Sequence, residues 1–274
     1  VGVLFLVCRK VEDVVALSQR RTQLLGRLRH RKTREREGLV LVEGLRAVSE
    51  ALAAGAETTF VVSSPRLTAL DGGTTLLEVL ASRGVEADLV DDKTMAGLAD
   101  TENSQGVLLV CRQPAPDRGS VSAGSRTLVL DALQDPGNVG TLVRAATAFA
   151  LDAVVVLDGS ADPWGAKAVR SSAGTSFRLP ILQMKCEEAL SFFGEQSVPL
   201  LVADASGDRV TRWRSPSGWA LVVGNEGAGP REALVSAATA VVSVPMPGPA
   251  ESLNAGVAGS ILLYALTQED AGAQ

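Results

Sequence analysis

The chain of 274 residues contains one histidine, His30, and it sits in a run of arginines. A Ser-His-Asp triad, a Cys-His dyad or a multi-histidine metal site would each need an imidazole near the polar loops that follow strands. Cysteine is scarce too. Cys8, Cys111 and Cys186 are far apart and no C-x-x-C occurs, which argues against a disulfide framework or a zinc site and fits a reducing cytoplasm. No apolar run approaches the roughly 20 residues that cross a bilayer. The apolar start Val1–Cys8 is followed rather than preceded by Arg9 and Lys10, unlike a signal peptide, and residues 1–17 are read as an N-terminal extension with no function assigned. Nucleotide and acyl-transfer signatures are missing as well. There is no G-x-x-x-x-G-K-S/T and no G-x-S-x-G, and the glycines of Gly224–Gly229 have the wrong spacing for a dinucleotide fingerprint. Chemistry in this chain therefore rests on Asn, Ser, Glu, Arg or an organic cofactor.

What is present is a globular composition, 46% hydrophobic with a mean hydropathy of +0.19. A net charge of −5 conceals a basic segment, Arg20–Arg36, with eight Lys/Arg against one acid, Glu35. Such clustering is the electrostatic footprint of a phosphate-backbone contact. A solvated helix face would give the same charge pattern. From Val11 to about Arg36 the apolar spacing is helical. Strands are then expected over residues 38–43, 58–63, 85–90 and 105–112, with helices between them, giving an α/β unit of about 100 residues. Residues 113–126, with two Pro, two Gly and three Ser and no periodicity, read as a linker. The expected division is a first domain over 18–113, a linker over 114–126 and a second domain over 127–270.

The second domain opens with the apolar strand Thr127–Asp131. Asn138 is placed as the N-cap of a helix running to about Ala150. Further Val/Leu-rich strands alternate with helices to the end of the chain, which means a parallel sheet covered on both faces. Two late strands run straight into loops dense in Gly, Pro, Asn, Ser and Glu, and the last helix is expected from Ser252. In an open α/β sheet ligands bind beyond the carboxyl ends of the strands, so these loops point to one shared pocket.

Three elements occur in order there. Asn138-x-Gly140-x-x-x-Arg144 follows a strand, Gly224-Asn225-Glu226-Gly227 ends a second, and Pro245-Met246 with Ser252-Leu253-Asn254 ends a third. The combination resembles the SpoU-type (TrmH-like) RNA ribose 2′-O-methyltransferases of the SPOUT superfamily. Residues 41–48 (LVEGLRAV) and 101–106 (TENSQG) resemble the small α/β RNA-binding domain that precedes the catalytic domain in many members. The resemblance implies a C-terminal trefoil knot, S-adenosylmethionine held by loops around 201–206, 224–229 and 244–254, and a homodimer through the C-terminal domain. It implies catalytic roles for Asn138, Arg144, Glu226, Ser252 and Asn254, and cofactor contacts, largely through backbone, for Gly224, Asn225, Gly227, Val244, Met246 and Leu253.

Each residue also has a plainer role. Asn138, Ser252 and Asn254 suit helix caps, Glu226 a turn, and Arg144 a surface ion pair. A guanidinium is a very poor base, so Arg144 is expected to bind RNA phosphate and orient the 2′-hydroxyl. Arg27, Arg29, Arg31, Lys32, Arg34 and Arg36 are the expected RNA grip, with residues 209–214 (RVTRWR) a second basic-aromatic candidate. Trp164, Trp213 and Trp219 are read as core or interface. The expected activity is 2′-O-methylation of a ribose in structured RNA, ribosomal before transfer RNA, with no metal and no membrane. A non-catalytic RNA-binding or ribosome-assembly protein and an unrelated nucleotide-binding α/β enzyme are the competing readings.

Overall fold

The computed structural model describes residues 17–210, 213 and 218–268. By its internal contacts the chain forms two units, one comprising residues up to Pro114 with Trp164–Phe177, the other Ala115–Pro163 and residues from Arg178 on. The N-terminal extension up to residue 16, and most of the basic-aromatic segment after Val210, lie outside the described residues.

In the first unit the helical periodicity resolves into two helices, α1 (Gln19–Leu28) and α2 (Arg31–Glu37), where one was expected. The break has a physical cause. His30 is extended (φ −94°, ψ 129°), and the Arg34 guanidinium donates to the carbonyls of Leu28 and Arg29 at 2.7 and 2.9 Å. Those are acceptors that a helix end leaves without intrahelical partners. After Gly38, in the left-handed region at φ 63°, come β1 (Leu39–Glu43), α3 (Leu45–Ala53), β2 (Thr58–Ser63), α4 (Pro65–Thr68), α5 (Gly73–Ser82), β3 (Ala87–Leu89), α6 (Asp92–Leu98) and β4 (Val107–Arg112). The sheet order is β1-β4-β2-β3, with β4 antiparallel to β1 and β2, and β2 parallel to β3. Leu25 and Leu28 of α1 and Met95 and Leu98 of α6 pack on the alternate residues Leu39, Leu41, Phe60, Val62, Leu108 and Val110.

The second unit carries β5 (Arg126–Leu130), α7 (Pro136–Ala148) and β6 (Ala153–Leu157). The chain then contributes α8 (Ala166–Ser171) to the first unit and returns with β7 (Ile181–Met184), α9 (Cys186–Glu195), β8 (Leu200–Arg209), β9 (Trp219–Val223), α10 (Glu232–Ser236), β10 (Ala240–Ser243) and α11 (Ala255–Gln268). Six strands lie in the order β10-β8-β9-β5-β6-β7, and every neighbouring pair is parallel. Helices cover both faces, as the continuous apolar runs require. Val129, Val155, Val202 and Val222 point to the side of Ala189, Phe193 and Leu234, from α9 and α10. On the other side α11 packs on α7 and β9. Gly259 permits this approach: a Cβ there would lie 2.5 Å from Leu142 Cδ2 and 3.1 Å from Val223 Cγ2. Burying each such Val or Leu contributes roughly 1.5–3 kcal/mol, so the sheet is a rigid base for the loops at its end.

Three helix starts differ from expectation. Asp135, not Asn138, caps α7, its carboxylate accepting the Gly137 N–H at 3.0 Å with Pro136 as the first helical residue. Asn138 lies inside the first turn. The helix expected from Pro230 is the short α10, which starts at Glu232 because Arg231 before it is extended (φ −60°, ψ 143°). The last helix begins at Ala255, where Asn254 accepts the Val257 N–H at 3.2 Å, leaving Ser252 and Leu253 in the loop before it.

Candidate active site

Loops after β9 and β10, a bulge in β8 and the start of α11 line a cavity of about 190 Å³ in the second unit. The bulge follows from register. Val241 pairs with Val202 but Val242 pairs with Asp208, so residues 203–207 leave the ladder, and Asp204 turns into the cavity lining. The Asp204 Oδ1 accepts the Ser206 N–H at 2.8 Å and its hydroxyl at 2.6 Å. These two bonds hold the Asp204 carboxyl below its ordinary value.

The loop after β9 closes on itself at Gly224. A Cβ there would stand 2.2 Å from Pro230 N and 2.5 Å from Gly229 C, so the position demands glycine for space. The Asn225 side chain organises the rest. Its Oδ1 accepts the N–H groups of Gly227 and Ala228, both at 2.9 Å, and its Nδ2 donates to Ala132 O at 2.9 Å. The amide oxygen thus shapes the loop and one amide N–H ties it to the end of β5, while the Asn225 backbone N–H and carbonyl pair with Gly229 across the turn at 3.2 and 3.0 Å.

Glu226 and Asn138 come together from 88 residues apart, Asn138 Nδ2 donating to Glu226 Oε1 at 2.9 Å. The Gln134 N–H adds a longer bond of 3.4 Å to the other carboxylate oxygen. Burial raises the carboxyl's pKa, but hydrogen bonds from Asn138 and from backbone N–H groups outweigh it, and the net displacement is downward. Gly256 completes the convergence, since a Cβ there would lie 3.1 Å from Asn254 Oδ1 and 3.2 Å from Asn138 Oδ1. Val244, Met246, Ser252 and Leu253 line the same cavity. Arg144 does not. It is exposed on α7, and six residues beyond Asn138 correspond to about 240° of helical turn.

Sequence reasoning passed over Asp204, and also the tie between Arg231 and two strand ends. The Arg231 N–H donates to buried Asp131 Oδ2 at 2.7 Å, and its Nη1 donates to Asp158 Oδ1 at 2.9 Å. Its Nε stands 3.0 Å from Asp131 Oδ1, an ion-pair distance without an aligned hydrogen bond. Burial raises the Asp131 pKa, whereas the bond from Arg231 lowers that of Asp158. The local signal was an acid directly after an apolar strand.

In the first unit Arg27, Arg29, Arg31, Lys32 and Arg36 are exposed. Arg34 is not: it is 5% exposed and bound to the carbonyls that end α1, which removes it from the expected RNA grip. Arg29 also donates to Leu98 O and Ala99 O at 3.0 and 2.8 Å, and Arg31 pairs with Glu35 at 2.7 Å. The segments 41–48 and 101–106 meet around one cleft of about 300 Å³, where Arg46, Asn103 and Gln105 surround buried Glu43. Trp164 and Trp219 are buried, the former edge-on to Phe177 with ring centroids 5.3 Å apart. Among the described residues no group of three or more His, Cys, Asp and Glu is arranged to hold a metal ion, and no helix is long and apolar enough to cross a membrane.

The model of the SpoU rRNA methylase family matches residues 125–264, and that of the MRM3-like substrate binding domain matches residues 11–109. The 23S rRNA (guanosine(2553)-2′-O)-methyltransferase RlmP of Bacillus subtilis is 32% identical over 88% of this chain and 93% of its own length. The 23S rRNA (adenosine(1067)-2′-O)-methyltransferase of Streptomyces azureus is 28% identical over 82% of this chain and 84% of its own. The crystal structure of the SpoU methyltransferase AviRb from Streptomyces viridochromogenes in complex with AdoMet superposes with a TM-score of 0.80 at 27% identity, covering 92% of this chain and 99% of that one.

Proposed function

Because the chain belongs to the SpoU rRNA methylase family and is an S-adenosylmethionine-dependent RNA 2′-O-methyltransferase, we propose that its acceptor is a ribose of ribosomal RNA. The two relatives described above act on 23S rRNA by name, and they align over most of their own length. The observation that carries the site assignment is the convergence of Asn138, Glu226, Asn254 and Gly256 beside a loop whose Gly224 leaves no space for a Cβ. The cavity fits the methyl donor: backbone lies bare at Gly224, apolar side chains come from Val244, Met246 and Leu253, and Asp204 and Glu226 face a ligand that carries positive charge.

When bound, S-adenosylmethionine supplies an electrophilic methyl carbon. The chain's residues supply alignment, the larger share of what an in-line displacement needs. Glu226 fixes the amide of Asn138 so that its carbonyl oxygen is presented beside α11. Ser252 and Asn254 offer a hydroxyl and an amide to the nucleotide or to the amino-acid end of the cofactor. Arg144 binds RNA phosphate and orients the 2′-hydroxyl. It stands outside the cavity of the single chain, which favours a homodimer with the active site at its interface. In support, α11 exposes Val257, Ile261 and Tyr264 at helical spacing, 47%, 39% and 54% accessible. We assign RNA binding to residues 18–113 through Arg27, Arg29, Arg31, Lys32 and Arg36, and methyl transfer to residues 127–270. A trefoil knot in the C-terminal segment is favoured by β10 lying at the sheet edge while α11 returns to α7 and β9. Cytoplasmic location fits an RNA substrate and the free thiols of Cys111 and Cys186.

Incubation with tritiated S-adenosylmethionine and separated RNA fractions, followed by mapping of ribose methylation, tests the assignment. Label should enter ribosomal RNA at a single position. Arg144→Ala should lower turnover by at least about 100-fold with cofactor affinity held within about twofold. Label in transfer RNA alone overturns the acceptor, unchanged turnover overturns the role of Arg144, and cofactor binding without transfer to any RNA points to a non-catalytic RNA-binding protein.

A further inference from the structure

We infer that Asp204 is a charge selector in the methyl-donor site, favouring the sulfonium substrate over the neutral thioether product. The inference rests on the cofactor reading above and deepens it, from Asp204 facing a cationic ligand to Asp204 discriminating substrate from product. Among the described residues the cavity lining is one-signed: Asp204 and Glu226 are its charged members, and no described Lys, Arg or His joins them. The two carboxylates come from different elements, the β8 bulge and the loop after β9. Glu226 already accepts from Asn138 and from the Gln134 N–H, whereas Asp204 uses one oxygen for Ser206. Its other oxygen, Oδ2, lies beside the bare backbone of Gly229, 3.9 Å from where a Cβ would stand, facing the loop across the cavity. Hydrogen bonding keeps both carboxyls ionised at neutral pH.

The reaction changes the charge of what the cavity holds. The C–S bond breaks as the C–O bond forms, the sulfur keeps the electron pair, and the ribose hydroxyl releases its proton to solvent water. A ligand of net charge about +1 becomes one of net charge about zero, so an anionic cavity attracts the substrate and loses that attraction once transfer is complete. Product release is built into the sign of the lining. Asp204 is exposed, which puts its effect at the well-screened end of the Coulomb range.

Calorimetry on the full chain with S-adenosylmethionine, S-adenosylhomocysteine and sinefungin, whose amine restores a positive charge near the sulfur position, provides the test. Wild type should bind the two cationic ligands more tightly than the thioether, and added salt should weaken only the cationic pair. Asp204→Asn keeps the Ser206 bonds and should weaken both cationic ligands by roughly fivefold to tenfold while the thioether stays within about twofold; Asp204→Glu should restore much of the difference. Equal weakening of all three ligands, or none, overturns the inference and leaves Asp204 a packing residue. Absence of S-adenosylmethionine binding by wild type is a separate outcome and would overturn the cofactor reading beneath it. Thermal melting of each variant reports whether it folds, and a melted Asp204→Asn shifts the reading to the wild-type salt dependence, where equal salt sensitivity of substrate and product overturns the inference.

Discussion

Replacing Gly224 by alanine tests whether the cofactor loop is shaped by steric exclusion. The three atoms nearest an added Cβ are all backbone, Pro230 N at 2.2 Å and Gly229 C and Pro230 Cα at 2.5 Å, against ordinary contacts that begin at 3.4 Å. Nothing flexible stands in the way to rotate aside, so the 224–230 segment must yield by about 1 Å. Overpacking of this kind costs roughly 1–3 kcal/mol, and a displacement of about 1 Å in a positioned site costs on the order of 100-fold in rate. Urea denaturation should therefore show a loss of about 1–3 kcal/mol, and calorimetry at least about a tenfold loss in S-adenosylmethionine affinity, equivalent to 1.4 kcal/mol. Gly227→Ala is the matched control, because Gly227, expected as a cofactor contact, does not line the cavity and its Cβ would meet only Asn225 Oδ1 at 3.7 Å, an ordinary contact. Stability should stay within about 0.5 kcal/mol there, with affinity nearly unchanged. Wild-type behaviour of Gly224→Ala, or equal damage from both substitutions, would refute the steric argument.

The same loop shows where sequence reasoning reaches and where it stops. The parallel sheet was legible because Leu128–Leu130, Val154–Val156 and Leu221–Val223 are uninterrupted apolar runs, and burial on both faces leaves such runs few other arrangements. The segments that line the cavity were legible as well, since strand ends followed by Gly, Pro and Asn announce a loop site. Roles within those segments were harder. Asn225 carries a side chain suited to a ligand, yet all three of its hydrogen bonds go to the turn and to Ala132, a partner 93 residues away that no local pattern reveals. Asp204 was missed because its exposure to the cavity depends on a register shift against β10, a pairing between segments about 40 residues apart in sequence. The α7 cap was misread although Pro136 marks the first helical position and points to Asp135. Charge density alone spread the basic run evenly over one surface, and only packing could separate Arg34 from its neighbours.

Two predictions remain. If α11 forms the proposed interface, Ile261→Glu should shift sedimentation from dimer to monomer, while the second unit keeps its fold because the side chain is 39% exposed; a wild-type chain that sediments as a monomer at micromolar concentration overturns the homodimer. Arg34 separates the structural from the RNA-binding share of the basic segment. Its guanidinium is buried and serves Leu28 O and Arg29 O, so Arg34→Met strands two acceptors at the turn between α1 and α2 and should cost roughly 2–3 kcal/mol. Arg27→Glu with Lys32→Glu, both at exposed positions, should leave the denaturation midpoint nearly unchanged while weakening RNA binding and lowering the slope of log affinity against log salt by about 0.7–0.9 per lost phosphate contact. The two sets of variants should thus fail in opposite assays. Should Arg34→Met keep its stability and instead lose salt-dependent RNA affinity, the guanidinium reaches phosphate in solution and the carbonyl clamp is not what divides the two helices.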